Sequence, residues 1–480
     1  MVNSQLIELL QHFTPEALHE LQLFVASPYF NRGLFSREAA SLLDFILDTA
    51  PEYPVERLER GAAYAAVFPG TPVVEGKLDK VMSELHKLTK AFISVQRYRQ
   101  ADNEFQRLLD LAAFYRDHDL DNRYRTLTQK LIKFQHEARY RDQDFFQREF
   151  LLDYEIHSYQ SQHNDKRDDT HIQKTLLSLD LQYFFLKTEL LNRYLIQQKV
   201  ARLDVPEEMV QTIKESHLPE RYAGTYPVLL LSHKIFQLLE KERTDIAEFE
   251  ELHGLLGLHE AEIEPGLLKF YFTYLRNLCV LLFNNGQTEL LPVLFKLQKE
   301  HFGRGYLYYD GKIAHSTFLN ITNTALRLKE YEWAKTFIFS HEHRVVGDNE
   351  TRDYFRLVLA NYLFHTKEYD QALDALPPAF QALDYHIFSR RLELKIYHEL
   401  DSDLLPYKID AFKMYLSRAS KNLISSLTRE QNTNFINLLF QISTTTKGDK
   451  ARIGRLIDRI NTKQSVTERE WLLEKAAQLA

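Results

Sequence analysis

The chain has 480 residues, 44% of them hydrophobic, and a formal net charge of −7 from 60 Lys and Arg against 67 Asp and Glu. That apolar share excludes wholesale disorder, and the acidic balance argues against a protein coated along its length by nucleic acid. With only 15 Gly and 14 Pro, roughly half the usual share of each, there is little material for hairpins, tight turns or phosphate loops, and helix is expected.

Thirty-two Phe and 26 Tyr against four Met and two Trp point to a core built from rings and Leu. The single cysteine, Cys279, lies in the apolar run Leu275 to Phe283, so an intramolecular disulfide and a thiolate-based zinc cluster are excluded. Residues Met1 to Glu8 lack a basic segment followed by an apolar one, so no secretory signal is expected. No stretch of about 18 apolar residues stands out as a membrane span. A reducing cytoplasm, without membrane contact, is the simplest expectation.

Residues 1–96 read as a helical bundle. Thr14-Pro15-Glu16 predicts a helix start, with Thr as N-cap, Pro where no N–H is needed, and an acid at the positive helix end. Ser27-Pro28 predicts its stop, because the residue before Pro is driven out of the helical region. Breaks follow at Pro51 to Pro54 and at Phe68-Pro69-Gly70-Thr71-Pro72. Leu78, Val81, Met82, Leu85, Leu88, Phe92 and Val95 then make one apolar stripe at helical spacing.

Residues 97–205 read as long central helices, with Leu127, Leu131, Phe134 and Ala138 on one stripe. The polar run His163 to Asp169 predicts an exposed loop and a site for nicking or hinging. Arg97-Tyr98-Arg99, Arg123-Tyr124-Arg125 and Arg139-Tyr140-Arg141 invite an RNA reading. From 97 to 150, however, eleven Lys/Arg face ten Asp/Glu, and a phosphate backbone needs a net positive track. Buried rings framed by solvated charges are expected instead.

Residues 206–425 read as helix pairs with turns near Lys241 to Thr244, Asn284 to Gln287, Lys329-Glu330, Lys367-Glu368 and Leu400 to Ser402. Lys329-Glu330-Tyr331-x-x-Ala334 returns as Lys367-Glu368-Tyr369-x-x-Ala372, 38 residues on. A Tyr opening the second helix of a hairpin fills the gap to the next, and an Ala one turn later lets two backbones approach closely. Gln287, Tyr331, Tyr369 and Ser402 are spaced by 44, 38 and 33 residues, straddling the 34-residue tetratricopeptide period. Through the two Tyr-x-x-Ala copies, residues 222–418 resemble degenerate tetratricopeptide-type repeats. The family's Trp-x-x-Leu-Gly-x-x-Tyr opening and terminal Pro are missing. Ser27 to Asn31 and Glu470 to Lys475 also resemble segments of uncharacterised bacterial helical proteins, a likeness that carries no function. The repeat resemblance implies an α-α solenoid that holds a protein or peptide on its concave surface.

Residues 426–480 read as a basic helical cap. From Lys413 to Lys463 ten Lys/Arg stand against three Asp/Glu. Arg452, Arg455, Arg459 and Lys463 share one helix face, extended upstream by Lys447 and Lys450, with Ile453, Leu456, Ile457 and Ile460 alongside. Thr467-Glu468-Arg469-Glu470 reads as a capping box before a last helix carrying Trp471, Leu472 and Leu479.

Catalytic constellations are not legible. Gly305 to Ile313 is one residue too long for a phosphate loop and ends on Ile where Mg²⁺ needs Ser or Thr. His341-Glu342-His343 points its two rings different ways on a helix. His157, His163 and His171 straddle the polar run. No Gly-x-Ser-x-Gly occurs, and Cys279 reads as a buried inert thiol. The sequence therefore predicts an all-α, non-catalytic adaptor with no cofactor and no metal, in which Tyr331, Ala334, Tyr369 and Ala372 pack the repeats. The second reading is nucleic-acid binding through Lys447, Lys450, Arg452, Arg455, Arg459 and Lys463.

Overall fold

In the computed structural model, the structure describes residues 1–480 except 2, 101–102, 164–169, 202–204, 242, 285, 347–350, 379, 381 and 420–423. The chain is 74% helical with almost no strand, and it divides into two compact units, Met1–Tyr183 and Phe184–Ala480.

The first unit holds α1 (Gln5–Leu10), α2 (Pro15–Ala26), α3 (Ser36–Leu47), α4 (Arg60–Val67), α5 (Lys77–Arg99), α6 (Glu104–Asp117), α7 (Asp121–His136) and α8 (Gln143–His163). Helix α9 (Thr170–Ala201) runs through the division. Thr14 caps α2 as expected, its Oγ1 accepting from the Ala17 N–H at 3.3 Å, with Pro15 in first position and Ser27 ending the helix. Leu78, Val81, Leu85, Leu88 and Phe92 of α5 are buried in one core with Leu6, Ile7, Leu21, Leu42 and Ile46. Each such side chain contributes roughly 1.5–3 kcal/mol by leaving water. A separate core gathers Phe105, Leu109, Tyr124, Leu131 and Tyr159.

Two expectations for this region need correction. Arg139-Tyr140-Arg141 lies between α7 and α8, not on a long helix. Arg141 donates to the Ala138 carbonyl and stacks 4.4 Å over Phe145. Only one of the three Tyr is fully buried: Tyr124 stacks on Tyr159 at 3.9 Å, whereas Tyr98 is 43% exposed. The polar run 164–169, read as a hinge, lies outside the described residues, as does the side chain of His163.

The second unit continues with α10 (Glu207–Lys214), α11 (Leu218–Arg221), α12 (Pro227–Glu240), α13 (Ile246–Leu258), α14 (Pro265–Asn284), α15 (Leu291–Gly303), α16 (His315–Arg327) and α17 (Tyr331–Ser340). It closes with α18 (Thr351–His365), α19 (Tyr369–Ala375), α20 (Leu383–Glu399), α21 (Leu405–Arg418), α22 (Ser426–Ser443), α23 (Lys450–Thr462) and α24 (Arg469–Ala477). From α12 to α22 every helix packs on the next, and α12 packs on α14, α16 on α18, and α18 on α20.

The echoed turns share one backbone solution. Lys329 and Lys367 adopt left-handed φ of 60° and 67°, and Asp401 follows at 49°. The Glu330 N–H reaches the Ala325 carbonyl, Glu368 reaches Leu363 and Ser402 reaches Tyr397, at 2.9, 2.9 and 3.0 Å. This is the Schellman stop, which satisfies carbonyls left over at a helix C-terminus. Gly286 and Gly305 do the same after α14 and α15.

A small sheet is the departure from helix. Strands β1 (Tyr308–Tyr309), β2 (Lys312–Ala314) and β3 (Val345–Val346) lie in that order, with Tyr308 opposite Ile313 and Ile313 beside Val345. The segment weighed as a phosphate loop is thus a β-hairpin. Its Asp310-Gly311 turn has both φ positive, 50° and 71°, the two-residue connection that matches strand twist. The capping box expected at Thr467 is also corrected. Helix α24 starts at Arg469 with Glu468 as a left-handed N-cap that makes no side-chain cap bond. A real capping box lies at Asp245 and Glu248, at the start of α13.

Among the described residues one helix segment, Pro265–Phe283, is long and apolar enough to cross a membrane by length and composition. Lys269 and Arg276 interrupt this segment, whose mean hydropathy is 1.2, a composition that the core helix of a globular protein shares. Tyr271, Phe272, Leu275, Leu278, Cys279 and Leu282 of this helix are buried.

Candidate functional site

The first helices of successive hairpins, α16, α18 and α20, line a cavity of about 440 Å³. Asn320, Asn323 and Arg327 come from α16, Asn361 and His365 from α18, and Arg391 and Lys395 from α20. Their spacing repeats. Asn323, Asn361 and Lys395 each lie six residues before the left-handed residue of their own turn, namely Lys329, Lys367 and Asp401. Arg327 and His365 lie two residues before theirs. The echoed turns fix the helical phase of what precedes them, so equivalent positions are brought to one wall.

The wall is polar. Asn361 Nδ2 donates to Asn323 Oδ1 at 2.7 Å, joining two of the equivalent positions directly. At the far end, Glu468 accepts from Arg391 Nε at 3.1 Å and from Lys395 Nζ at 2.8 Å. Burial alone would raise the Glu468 carboxyl, but the adjoining Lys395 and Arg391 charges overcome it and hold it well below the usual carboxylate range. Arg391 Nη1 also donates to Asn432 of α22. Lys395 sits 4.5 Å over the Phe364 ring, which shields the ion pair from water on that side. Burial, reinforced by Lys395, lowers His365 to about 4, so it stays neutral at pH 7 and acts as a hydrogen-bonding group, its Nδ1 within 2.8 Å of the Asn361 carbonyl. Arg327 is exposed at the rim, 5.1 Å over Phe283 and in no ion-pair contact with a carboxylate among the described residues.

The basic positions lie elsewhere in the second unit. Lys450, Arg452, Arg455 and Arg459 are exposed on α23, with Lys447 and Lys463 exposed at its two ends. Ile453, Leu456 and Ile460 occupy the opposite, buried face. None of the six cations is ion-paired among the described residues, and Arg459 donates to Gln441 Oε1 at 3.0 Å. Of the four residues expected to pack the repeats, Ala334 and Ala372 are fully buried while Tyr331 and Tyr369 are half-buried. Tyr369 rests against Phe364.

The C-terminal helix docks through Leu472 in the core of α22, while Trp471 Nε1 and Lys475 Nζ both donate to Glu399 of α20, at 2.9 Å each. His341 is buried between Phe337 and Tyr308 and bonded to both, while His343 points to solvent. Among the described residues no three His, Cys, Asp or Glu are grouped as metal ligands. Burial raises the Cys279 thiol to about 12, which suits packing and not nucleophilic chemistry.

The sequence reading missed the groove because no local motif contains it. Its residues come from helices 34 to 38 residues apart in sequence, and what marks them along the chain is the position six residues before each left-handed turn residue. No family model matches this chain, and no solved structure matches it significantly.

Proposed function

We propose that residues 206–425 form a degenerate tetratricopeptide-like array, and that the chain is a non-catalytic adaptor binding a protein or peptide on the array's concave surface. The observation that carries this reading is the recurrence of Asn323, Asn361 and Lys395 at one register before successive left-handed turns, all lining one cavity. Stacked hairpins of constant phase present a continuous face, which is how repeat proteins hold extended partners. Amide side chains offer both a donor and an acceptor, so a row of them suits the main chain of an extended peptide. Affinity purification of tagged protein from its native host, with and without nuclease, tests the reading when repeated with Arg327→Glu and Asn361→Arg. A protein partner that survives nuclease and is lost from both variants is expected. Recovery untouched by either variant would refute groove binding.

A second reading, nucleic-acid binding, is favoured by the six exposed cations of the α23 region, none of them ion-paired among the described residues. It requires affinity that falls steeply with salt, because each phosphate contact releases counterions. Arg452, Arg455 and Arg459 changed together to Glu would abolish it. Salt-insensitive binding, or none, removes this reading.

A further inference from the structure

A second cavity, of about 230 Å³, opens beside the groove and shares Asn320 with it. Arg276 and Asn277 of α14, Gln298 of α15, and Ser316 and Thr317 of α16 supply its polar lining. Arg276, which is half-buried, makes no hydrogen bond or ion pair among the described residues, and burial lowers its guanidinium from its ordinary value. A guanidinium taken from water without an anion is costly, and proteins seldom leave one so. Among the described residues no carboxylate lines this cavity.

Two further features point the same way. Ser316 and Thr317 lie in the first turn of α16, a 13-residue helix with no side-chain N-cap bond and no acid in that turn. Their backbone N–H groups have no partner among the described residues. A helix start left uncapped in this way presents donors and partial positive charge to an anion. Gln298, 1% exposed, spends its Nε2 on Thr324 Oγ1 at 3.3 Å, and its Oε1 is buried with no partner. A buried acceptor without a donor is itself a cost. The cavity therefore sets a cation and the N–H donors of a helix start beside one buried acceptor, Gln298 Oε1, that has no partner among the described residues. One turn along α15, fully buried His301 is depressed to about 3 by burial and then by Arg276, so it stays neutral and supplies no competing charge.

We propose that this cavity binds a small organic anion, a carboxylate or phosphate that also carries an N–H or O–H donor. The anion pairs with Arg276 and the first turn of α16, and the donor satisfies Gln298 Oε1. The α-amino acid pattern, carboxylate beside ammonium, meets both demands. This site stands apart from the proposed groove partner, though the same chemistry could arrive on a polypeptide.

Calorimetric titration of the full chain tests it, using inorganic phosphate, glutarate, L-glutamate and a short glutamate-bearing peptide. L-Glutamate is expected to outrank glutarate, which has the carboxylates without the ammonium. Arg276→Gln is expected to weaken binding roughly tenfold or more, the scale of a lost charge-assisted hydrogen bond, with part of the affinity returning in Arg276→Lys. Gln298→Leu is expected to erase the preference for L-glutamate over glutarate while leaving glutarate bound, a readout that does not depend on Arg276 variants folding. If only the peptide binds, with the same Arg276 dependence, the chemistry stands and the source is a polypeptide. If none of the four binds, or binding is unchanged in Arg276→Gln, the proposal is overturned.

Discussion

Helices α2 and α24 begin in opposite ways. At α2 the start is made within four residues, with Thr14 accepting the Ala17 N–H and Pro15 removing an orphan donor. At α24 the residue before the helix is Glu468, with left-handed φ of 56°. Its side chain ignores its own helix and pairs with Arg391 and Lys395, more than 70 residues away in sequence. A left-handed L-residue costs roughly 1–2 kcal/mol, so the second start is held by tertiary electrostatics against local preference. The difference teaches which helix ends a sequence can announce: those whose cap and helix are neighbours along the chain.

The largest effect is expected from Glu468→Gln. It leaves Lys395 and Arg391 enclosed without an anion and should cost about 3–5 kcal/mol, read by urea unfolding. Joint replacement by Glu468→Leu, Lys395→Met and Arg391→Leu should recover most of the loss, since an apolar cluster leaves no buried charge unpaired. Failure of Glu468→Gln to destabilise would mean that the pair is open to water.

Acid should act next, and on the same unit. His301 and His365 titrate near 3 and 4 in the folded state against 6.5 unfolded. The unfolded state thus binds more protons below pH 6.5, and stability must fall as pH drops toward 4. Glu468, also depressed, adds a loss below about pH 4.5. The combined effect should be a few kcal/mol, since each tenfold difference in proton affinity between the folded and unfolded chain is worth roughly 1.4 kcal/mol. A melting temperature flat from pH 7 to 4.5 would contradict the buried, neutral state of both rings.

Thr14→Ala should cost about 1 kcal/mol, the usual worth of an N-cap, well short of Glu468→Gln. The turn echo offers a smaller effect of opposite sign. Lys329→Gly and Lys367→Gly remove left-handed strain but add freedom to the unfolded chain, so each should stabilise by about 0.5 kcal/mol. Destabilisation by either would show that the Lys side chain, not its backbone angle, holds the turn. Arg455→Glu should shift stability by no more than about 0.5 kcal/mol, because that side chain is exposed and makes no ion pair among the described residues.

Sequence alone determined what depends on near neighbours. The α5 stripe, the Thr14-Pro15 start, the Ser27-Pro28 stop and the hairpin turns from Lys241 to Ser402 were all legible, because helical phase and turn chemistry act over a few residues. The Asp310-Gly311 hairpin and the Asp245–Glu248 box carried equally local signals that the low Gly and Pro content and the helical pattern around them obscured. Thr467 to Glu470 carried a false one, since a capping pattern competes with whatever else its Glu can reach. Packing between helices set where Glu468 goes, that Asn323, Asn361 and Lys395 share a wall, and that Arg276 faces a cavity with no carboxylate among the described residues. Those are relations between helices that lie far apart along the chain. They depend on packing distances, and no spacing along the chain encodes them until the turns have fixed the register.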